Sequence, residues 1–164
     1  MTGKVLVAGV GNIFLGDDAF GVEVVRRLIA RGVTAAVEVR DFGIRSFDLA
    51  YALMEEWQLV LLIDALPRGG EPGTLYVLEP QMPEDNAISP DLDAHTMDPV
   101  SVLRLVSALG GKVGRMLVIG CEPASFEFDA GGNMGLSAPV SAAANEAVRM
   151  VEDIVCREGH ATAA

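Results

Sequence analysis

A chain of 164 residues, 51% of them hydrophobic, is long enough to bury one sizeable core and too apolar to stay disordered. Its 23 acidic and 12 basic side chains leave a net charge of −11, which repels phosphate backbones and acidic lipid surfaces and argues against nucleic acid as a partner. The two cysteines, Cys121 and Cys156, lack CxxC spacing, and the longest apolar runs, Val5 to Val10 and Leu59 to Ile63, are far shorter than a membrane span.

In chain order, Lys4 to Val10 reads as a buried parallel strand, followed by a glycine-rich turn and a helix from about Asp18 to Arg31. Phe20, Val24, Val25, Leu28 and Ile29 recur at helical spacing, and Gly32 is the stop signal. A second strand, Ala36 to Asp41, leads through Phe42 and Gly43 to a helix over Phe47 to Glu56. Leu59 to Ile63 is the most apolar strand and ends on Asp64, as a central strand of a doubly wound sheet would. The turn Pro67 to Gly73 is too short for a helical crossover, so Thr74 to Leu78 is expected antiparallel to its predecessor or at a sheet edge.

Glu79 to Thr96, rich in proline and acid and without periodicity, reads as a long loop and a candidate functional element. A helix from Pro99 to Leu109, a strand from Arg115 to Gly120 and a last helix from about Ser137 to Arg157 complete the pattern. The expected fold is a single three-layer α/β domain over residues 1–158, with a mixed, mostly parallel five-stranded sheet between helices and a frayed tail at 159–164. The first strand is interrupted by Gly9, Gly11 and Asn12, which is unlike a signal peptide, so the expected setting is the cytoplasm and the free state a monomer. Strand ends then gather the Gly11 turn, Asp41 to Gly43, Asp64 and Cys121 to Pro123 on the edge where open α/β sheets bind ligands.

Gly9-Val10-Gly11-Asn12 after a strand invites a dinucleotide reading, but Phe14 stands where a third glycine is needed and Asp17-Asp18 put negative charge where phosphate would lie. Two consecutive acids at a helix start are either two solvated caps, or one cap and one side chain facing the cleft. Asp64, directly after five aliphatic residues, needs a metal, a hydrogen-bond network or a substrate to compensate its burial. His95 alone reads as a solvated loop histidine rather than a ligand, because the adjoining Asp98-Pro99 already makes an N-cap and first helical residue. Together Asp18, Asp64 and His95 offer two carboxylates and an imidazole, a set that suits zinc, nickel or a similar borderline cation. A third possibility is a cysteine hydrolase with Cys121 as nucleophile and His95 as base.

The segments Gly9-Val10-Gly11-Asn12, Gly16-Asp17-Asp18 and Gly21 resemble the opening motif of the hydrogenase maturation endopeptidases. Asp41-Phe42-Gly43-Ile44, Ile63-Asp64-Ala65, Ala94-His95 with Asp98-Pro99, and Ile119 to Pro123 with Glu127 and Gly135 to Ser137 follow in the family's order. The resemblance implies an endopeptidase that removes a C-terminal extension from the large-subunit precursor of a nickel-iron hydrogenase after nickel insertion. It places metal contact and catalysis at Asp18, Asp64 and His95, and substrate contact at Gly11, Asn12, Asp41 and Gly43. Nickel is then expected to arrive on the substrate, and zinc or cadmium to be able to fill the site in isolation. Two positions depart from the family's pattern: the first ligand, commonly glutamate, is Asp18 here, and Phe42 replaces a usual glycine. A nickel-sensing assembly factor that holds the same subunit without cutting it would use the same residues.

Overall fold

The computed structural model describes residues 3–81, 98–126 and 135–161. His95, Glu127 and most of the Glu79 to Thr96 loop lie outside the described residues, as do the last three positions of the chain. The elements are β1 (Val5–Val10), a 3-10 turn (Gly16–Ala19), α1 (Phe20–Arg31), β2 (Val37–Gly43), α2 (Ser46–Leu53), β3 (Leu59–Ala65), β4 (Leu75–Leu78), α3 (Pro99–Ala108), β5 (Met116–Cys121) and α4 (Ala138–Ala161). The sheet order is β2-β1-β3-β5-β4, with β1 parallel to β2 and β3, and β3 parallel to β5. This is the mixed, mostly parallel five-stranded α/β fold that the periodicity anticipates. Among the described residues, no helix is long and apolar enough to cross a membrane.

Alternation along the strands sorts the core into two layers. Val5, Val7, Leu59, Leu61 and Ile63 pack with Phe20, Val24, Val25 and Leu28 of α1 and with Val140, Ala144 and Ala147 of α4. Leu6, Ala8, Val10, Val60 and Leu62 pack on the other side with Leu49 and Leu53 of α2 and with Val102, Leu103 and Val106 of α3. Because β1 and β3 are covered on both faces, they carry no polar alternation and read as unbroken apolar runs.

Several details differ from the sequence expectation: β2 runs to Gly43 rather than Asp41, and α2 begins at Ser46 and ends at Leu53 rather than Glu56. The first α-helix begins at Phe20 rather than Asp18, because Gly16 (φ 53°) turns the chain into a 3-10 turn and neither Asp17 nor Asp18 caps α1. β4 does take the sheet edge, but it pairs antiparallel with β5 and not with β3, its predecessor in the chain. α4 runs on to Ala161, past Glu158, where the sequence suggests fraying; the Glu158 carboxylate is engaged by Arg115, which ties that last turn to the start of β5.

The helix layer carrying α1 is set by backbone contact. A Cβ at Gly21 would lie 2.1 Å from the Ile63 carbonyl oxygen and 2.4 Å from that of Val10, and one at Gly9 would lie 2.4 Å from the Gly21 carbonyl oxygen. Only glycine lets α1 lie this close to β1 and β3. Gly21→Ala is therefore expected to destabilise the fold by about 3 kcal/mol, lowering the melting temperature by roughly 10 °C, measurable by thermal and urea unfolding.

Candidate active site at the strand ends

The parallel register places Gly9 beside both Asp41 and Ile63, and Asp64 beside Gly120, so the β1, β2, β3 and β5 termini share one edge. Asp64 follows the apolar run of β3 and is only 7% exposed. Its parity with Val60 and Leu62 directs it toward the α2/α3 side of the sheet. Burial pushes its carboxyl well above the ordinary carboxylate range; the neighbouring Asp18 charge raises it further, and Asp98 adds to this against the opposing hydrogen bond from the Ala65 amide. Asp18 is half-buried in the 3-10 turn, and burial raises its carboxyl too, opposed by the Asn12 N–H, which donates to its Oδ2 at 2.8 Å. Among the described residues no lysine or arginine pairs with either acid.

Two carboxyls raised by burial, the Asp18 charge acting on Asp64, with no basic partner among the described residues, are a candidate cation site. Among the described residues no group of three histidine, cysteine, aspartate or glutamate side chains could hold a metal ion. The third ligand named from the sequence, His95, lies outside the described residues. Asp98 is the N-cap of α3, accepting the Ser101 N–H at 3.0 Å and the Ser101 hydroxyl, so its carboxylate is already engaged.

Other residues singled out from the sequence shape the edge mainly through their backbone. Gly11 (φ 143°) donates its N–H to the Gly43 carbonyl at 2.9 Å, and a Cβ there would lie 1.8 Å from the Asp18 carbonyl oxygen. Asn12 closes the loop: its Oδ1 accepts the Phe14 N–H at 2.9 Å, and its carbonyl accepts the Leu15 N–H at 3.1 Å. Asp41 Oδ1 accepts the Gly43 N–H at 2.9 Å, and Gly43 adopts a left-handed φ of 54°, which together turn the chain out of β2. Between them the register slips, since Gly9 faces Asp41 and Val10 faces Gly43. Phe42 is the bulged residue, and its side chain, 5% exposed, enters the α2/α3 core, so the departure from the family's glycine is turned away from the cleft.

Two buried carboxylates escaped the sequence reading. Asp17 is 1% exposed and accepts bonds from the Ala124 N–H (2.8 Å), the Ser125 N–H (3.3 Å), and the Ser137 N–H (2.7 Å) and Oγ–H (2.8 Å). Of the adjacent pair, then, Asp17 binds another loop instead of capping α1, and Asp18, partly buried, accepts the Asn12 N–H. Glu122 accepts the Arg68 and Gly69 N–H groups at 2.8 and 3.0 Å and the Tyr76 hydroxyl at 2.9 Å, fixing the turn between β3 and β4. Burial alone would raise the Glu122 carboxyl, but these donors hold it below the usual range. Cys121 is fully buried, and burial, with the Asp17 charge next in size, pushes its thiol up to about 12. A neutral, inaccessible thiol is a poor nucleophile.

The hydrogenase maturation protease family model matches residues 22–154. The hydrogenase expression/formation protein HupD of Rhodobacter capsulatus is 30% identical over 149 residues, covering 89% of this chain and 70% of HupD. The coenzyme F420 hydrogenase subunit delta of Methanothermobacter thermautotrophicus is 32% identical over 155 residues, covering 92% and 93% respectively. The structure of the hydrogenase maturating endopeptidase HybD from Escherichia coli superposes with a TM-score of 0.74 at 26% identity, covering 95% of this chain and 94% of HybD.

The electrostatics of Asp64 imply a cost that can be measured. Below the ordinary aspartate value of 3.8 the carboxyl is protonated in both folded and unfolded chains and costs nothing. As pH rises from there through the raised folded-state value, the folded chain must ionise a buried group and loses stability. Asp64→Asn is expected to stabilise the fold at pH 7.5 by on the order of 1 kcal/mol, with the gain vanishing near pH 3.5, as read by urea unfolding at the two pH values.

Proposed function

The chain belongs to the hydrogenase maturation proteases, a family of peptide-bond hydrolases, and on that premise we propose that it removes the C-terminal extension of a nickel-iron hydrogenase large-subunit precursor after nickel insertion. One observation carries the reading beyond the family: Asp64, buried at a strand end, has its carboxyl raised by burial and by the Asp18 charge, with no cationic side chain from the described residues to balance them. Such a pair is costly unless a cation is delivered to it. Nickel held by the precursor is that cation, and His95 is the third ligand by its match to the family motif. The donor set fits, since carboxylate oxygens and an imidazole suit a borderline divalent ion.

In this reading the chain's own groups dock and orient the substrate. Asp18 and Asp64, whose carboxyls burial raises, give up their protons to draw the nickel-bearing segment to the edge, which fixes the scissile bond there. Hydrolysis adds a water oxygen to the scissile carbonyl carbon, breaks the C–N bond and returns a proton to the leaving amine. Asp18, half-exposed, is the carboxylate that an attacking water can reach. Asp41 and Gly43, beside the Gly11 turn, border the path of the tail. The proposed free state is a cytoplasmic monomer.

The relative described as a hydrogenase subunit favours a second reading, in which the chain recognises the nickel-loaded subunit and does not cut it. Incubation with nickel-loaded precursor decides between the two: loss of the tail by mass supports the protease, and a full-length, tightly bound precursor supports the assembly factor. Tail loss is expected from nickel-loaded but not nickel-free precursor, and Asp18→Ala or Asp64→Ala should slow it by about 100-fold or more. Cys121→Ala should leave the rate within about threefold, because a buried thiol that stays protonated takes no part; its loss of activity alongside an active Asp18→Ala would move the chemistry to the cysteine.

A further inference from the structure

Asp17 is a buried carboxylate that the proposed chemistry does not use, and its surroundings are organised around it. All four groups that contact it are donors, which suits an acceptor-only carboxylate. They come from both sides of one excursion of the chain: Ala124 and Ser125 just after β5, and Ser137 just before α4. The Asp17 N–H also donates to the Ser125 carbonyl at 3.0 Å, so this residue is held by backbone and side chain together. Leu15, which precedes the 3-10 turn, makes no side-chain capping bond, and the Asp18 side chain is held by a single bond from Asn12.

From this we propose that Asp17 is a positioning residue: by fastening the 3-10 turn to both stems of the β5–α4 connection, it sets the direction in which Asp18 presents its carboxylate to Asp64. The inference rests on the site proposed above. In a 3-10 turn successive side chains project about 120° apart, so one residue can be anchored inward while the next is aimed at the cleft, and any rotation of the first turns the second with it.

Asp17→Asn tests this because it keeps the shape but sets an NH2 group against donors. If the amide oxygen takes the Oδ2 position, its nitrogen opposes the Ser137 N–H, and the reverse orientation opposes three donors. The comparison is Arg27→Ala, which loosens α4 from α1 by removing bonds to Ser141 and Asn145 but touches nothing in the 3-10 turn. With nickel-loaded precursor, Asp17→Asn is expected to lower kcat by about 30- to 100-fold with KM within about threefold, whereas Arg27→Ala keeps kcat within about threefold despite a lower melting temperature. Zinc binding by calorimetry should weaken about tenfold in folded Asp17→Asn and stay unchanged in Arg27→Ala.

A folded Asp17→Asn protein with wild-type kcat or wild-type zinc affinity overturns the proposal. So does a kcat loss that Arg27→Ala reproduces at equal melting temperature. If Asp17→Asn does not fold, Ser137→Ala takes its place, since it deletes one donor only; a fall in kcat of a few-fold at unchanged melting temperature supports the positioning role, and an unchanged kcat removes it. Should the wild-type protein cut no precursor, the protease reading fails alone, and the zinc affinities still decide the role of Asp17.

Discussion

The backbone contact between α1 and the sheet at Gly21 is the constraint on which the site depends. Its Cα lies against the carbonyls of Val10 and Ile63, the residues that precede the Gly11 turn and Asp64 respectively. A helix that enters the sheet at this distance has its preceding turn directly over the β1 and β3 termini. Asp18, in that turn, therefore meets Asp64 although the two lie far apart in sequence, and Gly11 fits beneath the Asp18 carbonyl because it has no side chain. The glycines that resemble a nucleotide fingerprint thus serve close packing, while the phosphate site they would have made is taken by carboxylates.

That geometry sets stability against function. Ionised Asp64 is opposed both by desolvation and by Asp18, and an unpaired buried charge is a defect the rest of the fold must offset. The offset comes from two apolar layers that cover β1 and β3 completely, and from the other buried acids, which are each fully provided with donors. Asp17 and Glu122 accept several hydrogen bonds from backbone amides, whereas the one that lowers Asp64 comes from the Ala65 amide. The contrast separates acids satisfied by backbone donors from one whose burial raises its carboxyl.

Much of this was legible in the residues. Leu59 to Ile63 followed by Asp64 reads as a central strand ending in a costly acid, and every residue of β3 is buried. Asp98-Pro99 reads as the start of a helix, and Asp98 caps α3. What could not be read depends on partners far along the chain. Asp17 finds its donors 107 and more residues away, and no local pattern marks Ala124 or Ser137 as those donors. Periodicity likewise gives β4 as a strand but not the partner it pairs with, and a one-residue bulge at Phe42 leaves no trace in composition.

The aspartate at position 18 fits this local architecture. One carboxylate oxygen is fixed by the Asn12 N–H, inside a loop that Asn12 itself closes through Phe14 and Leu15. A side chain with one fewer rotatable bond, anchored at one oxygen, would lose less freedom on taking up the proposed cation with its other oxygen. A glutamate on this backbone would carry its carboxylate a methylene further and would have to give up the Asn12 bond or fold back to keep it. The shorter reach is therefore matched to a turn already drawn tight against the strand ends, where backbone approach at Gly11 and Gly21 supplies the proximity that a longer side chain would otherwise provide.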